Sequence, residues 1–341
     1  MIPYIFLIVF IFLAEYIIGS KQIQTDNSKK KQFLCLSLIP FFVLLAFRGE
    51  SVGADTLNYM RSFKEMDYGG YYDERLEIGY LYLVFVIKYF FSNPRFLLIV
   101  TALFTTISIG RFIYKTAKNP LLALLFFVTL GLFQFSLSGI RQTIAISITL
   151  WLYPLIKQKK FIKFLLGVYI ASLFHKSSYF FIPSYFIAQQ TINKKMLIFE
   201  TVAFMSVFFV ADKLLLSLAD IMEYNYGIEE TDSGFFFFSV VFMITLVSLM
   251  NKSEILAFNS DNKYIINISL VSLMVWTIRL ISRTAERASF YYMPYTYILL
   301  EEFVTCKKRK WIYLFVVLFS IALFLYRVLS NPSIYPYVFS F

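Results

Sequence analysis

Residues Phe33–Phe47, FLCLSLIPFFVLLAF, run without a charge into Arg48–Tyr59, RGESVGADTLNY. The first stretch is almost wholly apolar; the second is polar and punctuated by Gly49 and Gly53. A membrane-crossing helix leaves such a junction where it emerges into a loop at headgroup level. The rest of the 341-residue chain repeats the pattern, with 59% hydrophobic, 20% aromatic and only 16% charged residues. That apolar content exceeds what a water-soluble core can hide. The reading is an all-α polytopic integral membrane protein.

A helix needs about 20 apolar residues to cross about 30 Å of hydrocarbon. Candidate spans are 1–20, 33–47, 96–114, 120–136, 140–156, 197–216, 235–250, 264–282, 288–305 and 311–329, with shorter pieces at 78–91, 163–175 and 177–190 that are tilted, broken or re-entrant. The expectation is about 12–14 transmembrane or re-entrant helices in a single transmembrane domain over 1–341. The first run has no basic leader and no small-residue cleavage site, and it carries Glu15, so it reads as an anchor.

The net charge of +11 does not point to nucleic acid. The basic residues sit in short loops, at Lys21 with Lys29–Lys31, at Lys157–Lys163, at Lys194–Lys195 and at Lys307–Lys310, which is the positive-inside pattern. The longer loops 48–77 and 212–234 are net acidic and are assigned to the outer side. If both 78–91 and 96–114 crossed fully, Lys115 and Lys118 would end up outside, so 78–91 is read as re-entrant or unusually tilted. Neither outer loop can bury a core of its own, so no soluble nucleotide-binding domain exists. Cys35 and Cys306 lie at or in apolar segments and read as packing residues, and a lone histidine excludes a zinc site built from several histidines or thiolates. No metal or other cofactor is implied. No internal repeat is visible, which argues against many transporter architectures.

An ionisable residue inside a span costs roughly 2.5–3.5 kcal/mol on insertion scales, so such residues are functional candidates. Arg141 and Gln142 open the span 140–156, and His175 with Lys176 occupies the turn between two apolar pieces. Arg279, Arg283 and Arg287 recur at four-residue spacing around Glu286. If one helix runs through them, three like charges share a face and need an anion or Glu286, which can pair with Arg283. Arg48 and Asp55 follow an inside-to-outside span and join the same outer layer. Any one of these arginines alone reads as snorkelling to headgroups. Four sequence-distant segments converging on one face instead suit a diphosphate, whose oxygens guanidinium binds in bidentate fashion.

Four motifs in order carry a resemblance: Arg48-Gly with Gly53-Ala54-Asp55-Thr56 and Tyr59; Gly139-Ile140-Arg141-Gln142 with Ala145; Phe174-His175-Lys176-Ser177; and Glu286-Arg287 with Tyr291. Together they resemble the EpsG family, whose members are similar to Wzy-type polymerases of bacterial surface polysaccharide. Ala54 departs from the Thr or Ser of many members, and Lys176 follows the histidine where a small residue would be unremarkable. The resemblance implies a GT-C-like glycosyltransferase in the bacterial plasma (inner) membrane, its active site facing the periplasm or exterior. It would join oligosaccharide repeat units carried on undecaprenyl diphosphate, with both donor and acceptor lipid-linked. A chain-length regulator and a flippase of the same pathway are the implied partners, besides membrane lipid.

In that chemistry Arg48, Arg141, Arg283 and Arg287 would hold diphosphates. Gln142, Tyr59, Lys176, Glu286 and Tyr291 would contact substrate. His175 ranks ahead of Asp55 as the base for the acceptor hydroxyl, because imidazole needs less tuning. Asp55 could instead hold a sugar hydroxyl or orient Arg48. A flippase or exporter of lipid-linked sugar, or a non-catalytic subunit of a biosynthetic complex, are the alternatives.

Overall fold

The computed structural model describes residues 1–67, 76–193, 195–196, 198, 202, 205–206, 209, 234–280 and 285–340. Among them the protein is helical throughout, the only β pairing being an isolated antiparallel bridge between Arg48 and Phe339. In chain order the helices are α1 Ile2–Ile18, α2 Ser20–Thr25, α3 Asn27–Ala46, α4 Thr56–Glu65, α5 Ile78–Phe90 and α6 Arg95–Thr116. There follow α7 Pro120–Thr129, α8 Leu132–Ser136, α9 Ile140–Lys157, α10 Phe161–Ser172, a 3₁₀ turn Lys176–Phe181 and α11 Pro183–Ile187. The described chain continues with α12 Phe235–Met250, α13 Lys252–Phe258, α14 Asn262–Arg279, α15 Ala285–Ser289, α16 Met293–Lys307 and α17 Lys310–Leu329.

Where capping and hydropathy disagree, the helix boundaries follow capping. The Asp26 carboxylate accepts from the amides of Ser28 at 2.7 Å and Lys29 at 3.4 Å, so α3 starts six residues before its apolar run. Asn119 caps α7, with Pro120 in the first turn, where a missing amide is harmless. The expected span 120–136 is in fact two helices: Gly131 at φ 109° adopts a left-handed conformation and ends one before the other begins. The expected span 288–305 starts at Met293, and α15 precedes it as a separate helix. The piece 177–190 is broken, as expected, into a 3₁₀ turn and α11. The expected span 197–216 and loop 212–234 lie almost wholly outside the described residues.

By length and composition α6 and α17 each suffice to cross a membrane. The pair α12 and α13, bent by 77°, makes a third if counted as one span. Four shorter apolar helices, α1, α5, α7 and α10, accompany them. This is the architecture of a helical membrane protein.

The chain folds into two compact units. The first comprises Met1–Trp151, Ile170–His175 and Lys307–Phe341. Here α3 packs along α1 and α6, and α7 packs on α17 and α1. Tyr4 is fully buried at the centre of an aromatic cluster, edge-on to Phe133, Phe324 and Tyr337 at 5.4–6.3 Å. The C-terminal segment folds back over this bundle: Tyr4 donates to the Ile334 carbonyl at 2.6 Å and Tyr337 to that of Leu44 at 2.8 Å.

The second unit comprises Leu152–Tyr169 and Lys176–Cys306. Its central helix is α14, against which α12, α11 and α15 pack. Buried Asn267 donates to the carbonyls of Ile187, Ala188 and Gln190 at 2.9–3.2 Å, satisfying the backbone where α11 ends. Lys157 pairs with Asp261, and fully buried Glu302 accepts from Asn259 at 3.0 Å.

Candidate functional site

The Arg48–Thr56 motif is a tight connection between α3 and α4, held by main-chain bonds from other parts of the first unit. The Gly49 amide donates to Val338 O at 2.8 Å, and the Gly53 amide to Ser333 O at 2.6 Å. Gly53 has φ 95°, and a Cβ there would lie 1.9 Å from the Leu137 carbonyl oxygen, so only glycine fits. The Ala54 amide donates to Ser138 Oγ at 3.0 Å, joining this loop to the turn before α9. Thr56 Oγ1 donates within reach of Val52 O at 2.7 Å and Leu137 O at 3.2 Å.

Arg48 is 2% exposed. Its Nε donates to Thr56 Oγ1 at 3.1 Å and one terminal nitrogen donates to Leu45 O, while Nη2 has no hydrogen-bond partner. Burial pushes this guanidinium down to about 10, with the nearby Tyr337, Tyr59 and Tyr4 hydroxyls opposing the shift. It is therefore a cation at neutral pH, locked into the fold. Asp55 precedes α4, is half-buried, and makes no side-chain hydrogen bond to the helix it introduces.

The second cluster lies around Arg141 in the first turn of α9. One terminal nitrogen of Arg141 is ion-paired with Glu77, and its Nε donates to Tyr59 Oη at 3.4 Å. The Glu77 side chain is 4% exposed and that of Arg141 20%, so the carboxylate is interior while the arginine side chain stays partly accessible. Glu77 immediately precedes α5, whose Gly79 amide donates to Leu173 O at 2.8 Å. A Cβ at Gly79 would sit 2.7 Å from that oxygen, so this close approach requires glycine. It anchors the 173–175 turn beside Glu77. Phe174 packs with Tyr59 and Leu83 against Met60, Leu98, Ile140 and Ile144, and His175 follows it, 3% exposed. Gln142, on the next position of α9, is 1% exposed.

The first unit thus gathers Arg48, Asp55, Tyr59, Arg141, Gln142 and His175, drawn from three of the four sequence motifs. The EpsG family model matches residues 31–339, nearly the whole chain. The chain belongs to the EpsG family. No curated protein and no solved structure matches it. Family membership and the apolar helices together mark a membrane protein of the polysaccharide-polymerase type.

The remaining family-motif residues fall in the second unit, which starts again at Lys176. Ser177 Oγ and Tyr291 Oη lie 3.0 Å apart, and Tyr292 donates to Phe180 O, so the 3₁₀ turn is fixed to the segment after α15. Glu286 pairs with Arg279 at 2.8 Å. The anticipated partner, Arg283, lies outside the described residues. Among the described residues α14 ends at Arg279 and Arg287 belongs to α15. Arg287 is half-buried.

Sequence reasoning missed Glu77, the carboxylate that holds Arg141, and Thr56, which holds Arg48. Glu77 stands within an acidic loop and carries no local signal, whereas Thr56 was visible inside the motif. Among the described residues no group of three or more histidine, cysteine or acidic side chains could hold a metal ion.

Proposed function

We propose that this EpsG-family chain is a Wzy-type, GT-C-like polysaccharide polymerase. It joins undecaprenyl-diphosphate-linked oligosaccharide repeat units at the outer face of the bacterial plasma membrane. The observation that carries this reading is the cluster in which a partly open Arg141, braced by buried Glu77 and Tyr59, adjoins the turn bearing the chain's single histidine.

In the proposed reaction the acceptor sugar hydroxyl attacks the anomeric carbon of the donor. The new glycosidic bond forms as the bond to the diphosphate oxygen breaks, and undecaprenyl diphosphate leaves with the electron pair. His175 takes the hydroxyl proton, with Asp55 the alternative base. Arg141 donates to the departing diphosphate, an interaction worth about 2.7–4 kcal/mol by analogy with an oxyanion-hole donor. Its planar fork suits phosphate oxygens better than a lysine would.

Arg48 takes a positioning role in this account, since it binds Thr56 and the end of α3 and so sets the start of α4, where Asp55 and Tyr59 stand. Arg283, Arg287, Lys176, Glu286, Gln142 and Tyr291 are assigned to substrate recognition. A flippase and a chain-length regulator of the same pathway would supply the donor and set product length.

Chain-length analysis tests the reading. In cells expressing Arg141→Lys at normal levels, single repeat units should accumulate on lipid while long chains disappear. Loss of all surface sugar, single units included, would instead mark an exporter.

A further inference from the structure

A cavity of the first unit whose lining does not include Arg141 runs along the antiparallel contact of α3 and α6. Its volume is about 600 Å³, within the range of small-molecule sites. From Lys31 to Phe42 on one wall and from Tyr114 to Leu103 on the other, it covers about 17 Å of helix at 1.5 Å per residue. That is close to one leaflet of a hydrocarbon core about 30 Å thick. Gly110 lines the groove opposite Leu38, whose Cδ1 would lie 2.7 Å from a Cβ there.

The groove is polarised. Lys31, Arg111 and Tyr114 stand together at one end, Lys115 lies over the Tyr114 ring at 5.6 Å, and no acidic residue lines the cavity. Arg111 is held over Trp151, 4.0 Å from the ring centroid, while Trp151 donates to Ser108 at 2.9 Å. Among the described residues neither Lys31 nor Arg111 has a carboxylate partner. Below this cationic end the walls are apolar with one exception. Thr106, 8% exposed, lines the groove, and its Oγ1 has no hydrogen-bond partner. It lies about 7.5 Å along α6 from Arg111.

We propose that this groove binds one anionic diacyl phospholipid. The phosphate sits between Lys31 and Arg111, and one acyl chain lies between Leu103 and Phe42. The length of the groove selects a diacyl lipid, because the long chain of an isoprenoid phosphate would overrun its span of about 17 Å. Two basic residues at headgroup level favour an anionic over a zwitterionic lipid by about tenfold to thirtyfold.

The test uses the full-length protein, purified in detergent, delipidated, and offered phosphatidylglycerol, phosphatidylcholine or a long-chain polyprenyl phosphate in mixed micelles. Native mass spectrometry counts the retained lipid. One phosphatidylglycerol per chain is expected, preferred about tenfold or more over phosphatidylcholine. Arg111→Gln and Lys31→Gln should each cut that preference about fivefold. Ile107→Trp and Cys35→Trp fill the groove from opposite walls and leave both cations in place; each should abolish retention in chains that still elute as a single species. Equal retention of phosphatidylcholine, unchanged retention in the two tryptophan variants, or preferential retention of polyprenyl phosphate would each overturn the assignment. Because Arg141 and His175 are untouched, these results are independent of whether the chain polymerises sugar.

Discussion

Removing the Glu77 carboxylate should destabilise the first unit and misplace Arg141 together. Glu77→Gln keeps the shape and deletes the charge, so the effect isolates the ion pair. Breaking one side of a fully buried pair costs about 3–5 kcal/mol, since the surviving charge is left in a poorly solvated place. Arg141 keeps a fifth of its side chain accessible, so water recovers part of that loss. The expected cost is about 2–3 kcal/mol, or about 30- to 150-fold in the folding equilibrium. The remaining Tyr59 contact, at 3.4 Å, is too long to compensate. The assay is SDS-induced unfolding of the purified protein in mixed micelles, run as a double-mutant cycle with Arg141→Gln. A coupling of about 1.5 kcal/mol or more is predicted, with the double variant less destabilised than the sum of the singles. A Glu77→Gln cost below about 0.5 kcal/mol with additive singles would show that the pair does not hold Arg141.

Gly53→Ala should cost about 3 kcal/mol or more, because it combines a left-handed backbone with a Cβ driven into the Leu137 carbonyl. Gly110→Ala, whose Cβ meets only the movable end of Leu38, should cost under about 1 kcal/mol in the same unfolding assay. For the base, His175→Ala should slow the chemical step by about a hundredfold to ten-thousandfold while donor binding holds. If Asp55→Asn abolishes single-turnover chemistry while His175→Ala extends chains normally, Asp55 is the base instead.

The helical membrane class was legible because composition alone forbids a soluble core, and α5, α9, α12 and α17 start and stop within a residue or two of their apolar runs. Boundaries failed where hydropathy and capping disagree. Asp26 extends α3 backward through three lysines, and Gly131 divides an uncharged run that reads as one span. Glu301 and Glu302 lie fully buried in α16, although the hydropathy of that run drew no attention to them.

At the site, the motifs marked the right segments but not their partners. Arg141 and Glu77 are 64 positions apart, and only the tertiary fold brings them together. Helical spacing pointed Glu286 to Arg283, which lies outside the described residues, and gave no sign of the Glu286–Arg279 pair, seven positions apart. The bonds from Ser333 and Val338 that fix the Arg48–Thr56 loop are main-chain interactions, which leave no trace in side-chain identity.

The most direct measurement reconstitutes the purified protein in liposomes with undecaprenyl-diphosphate-linked repeat units and follows product length alongside release of free undecaprenyl diphosphate. The account predicts a ladder of lipid-linked oligomers, with one undecaprenyl diphosphate freed for each bond formed. Arg141→Lys should lose most of this activity while the protein stays folded. Single units that persist unextended with no diphosphate carrier released, or a ladder of normal length from Arg141→Lys, would contradict it.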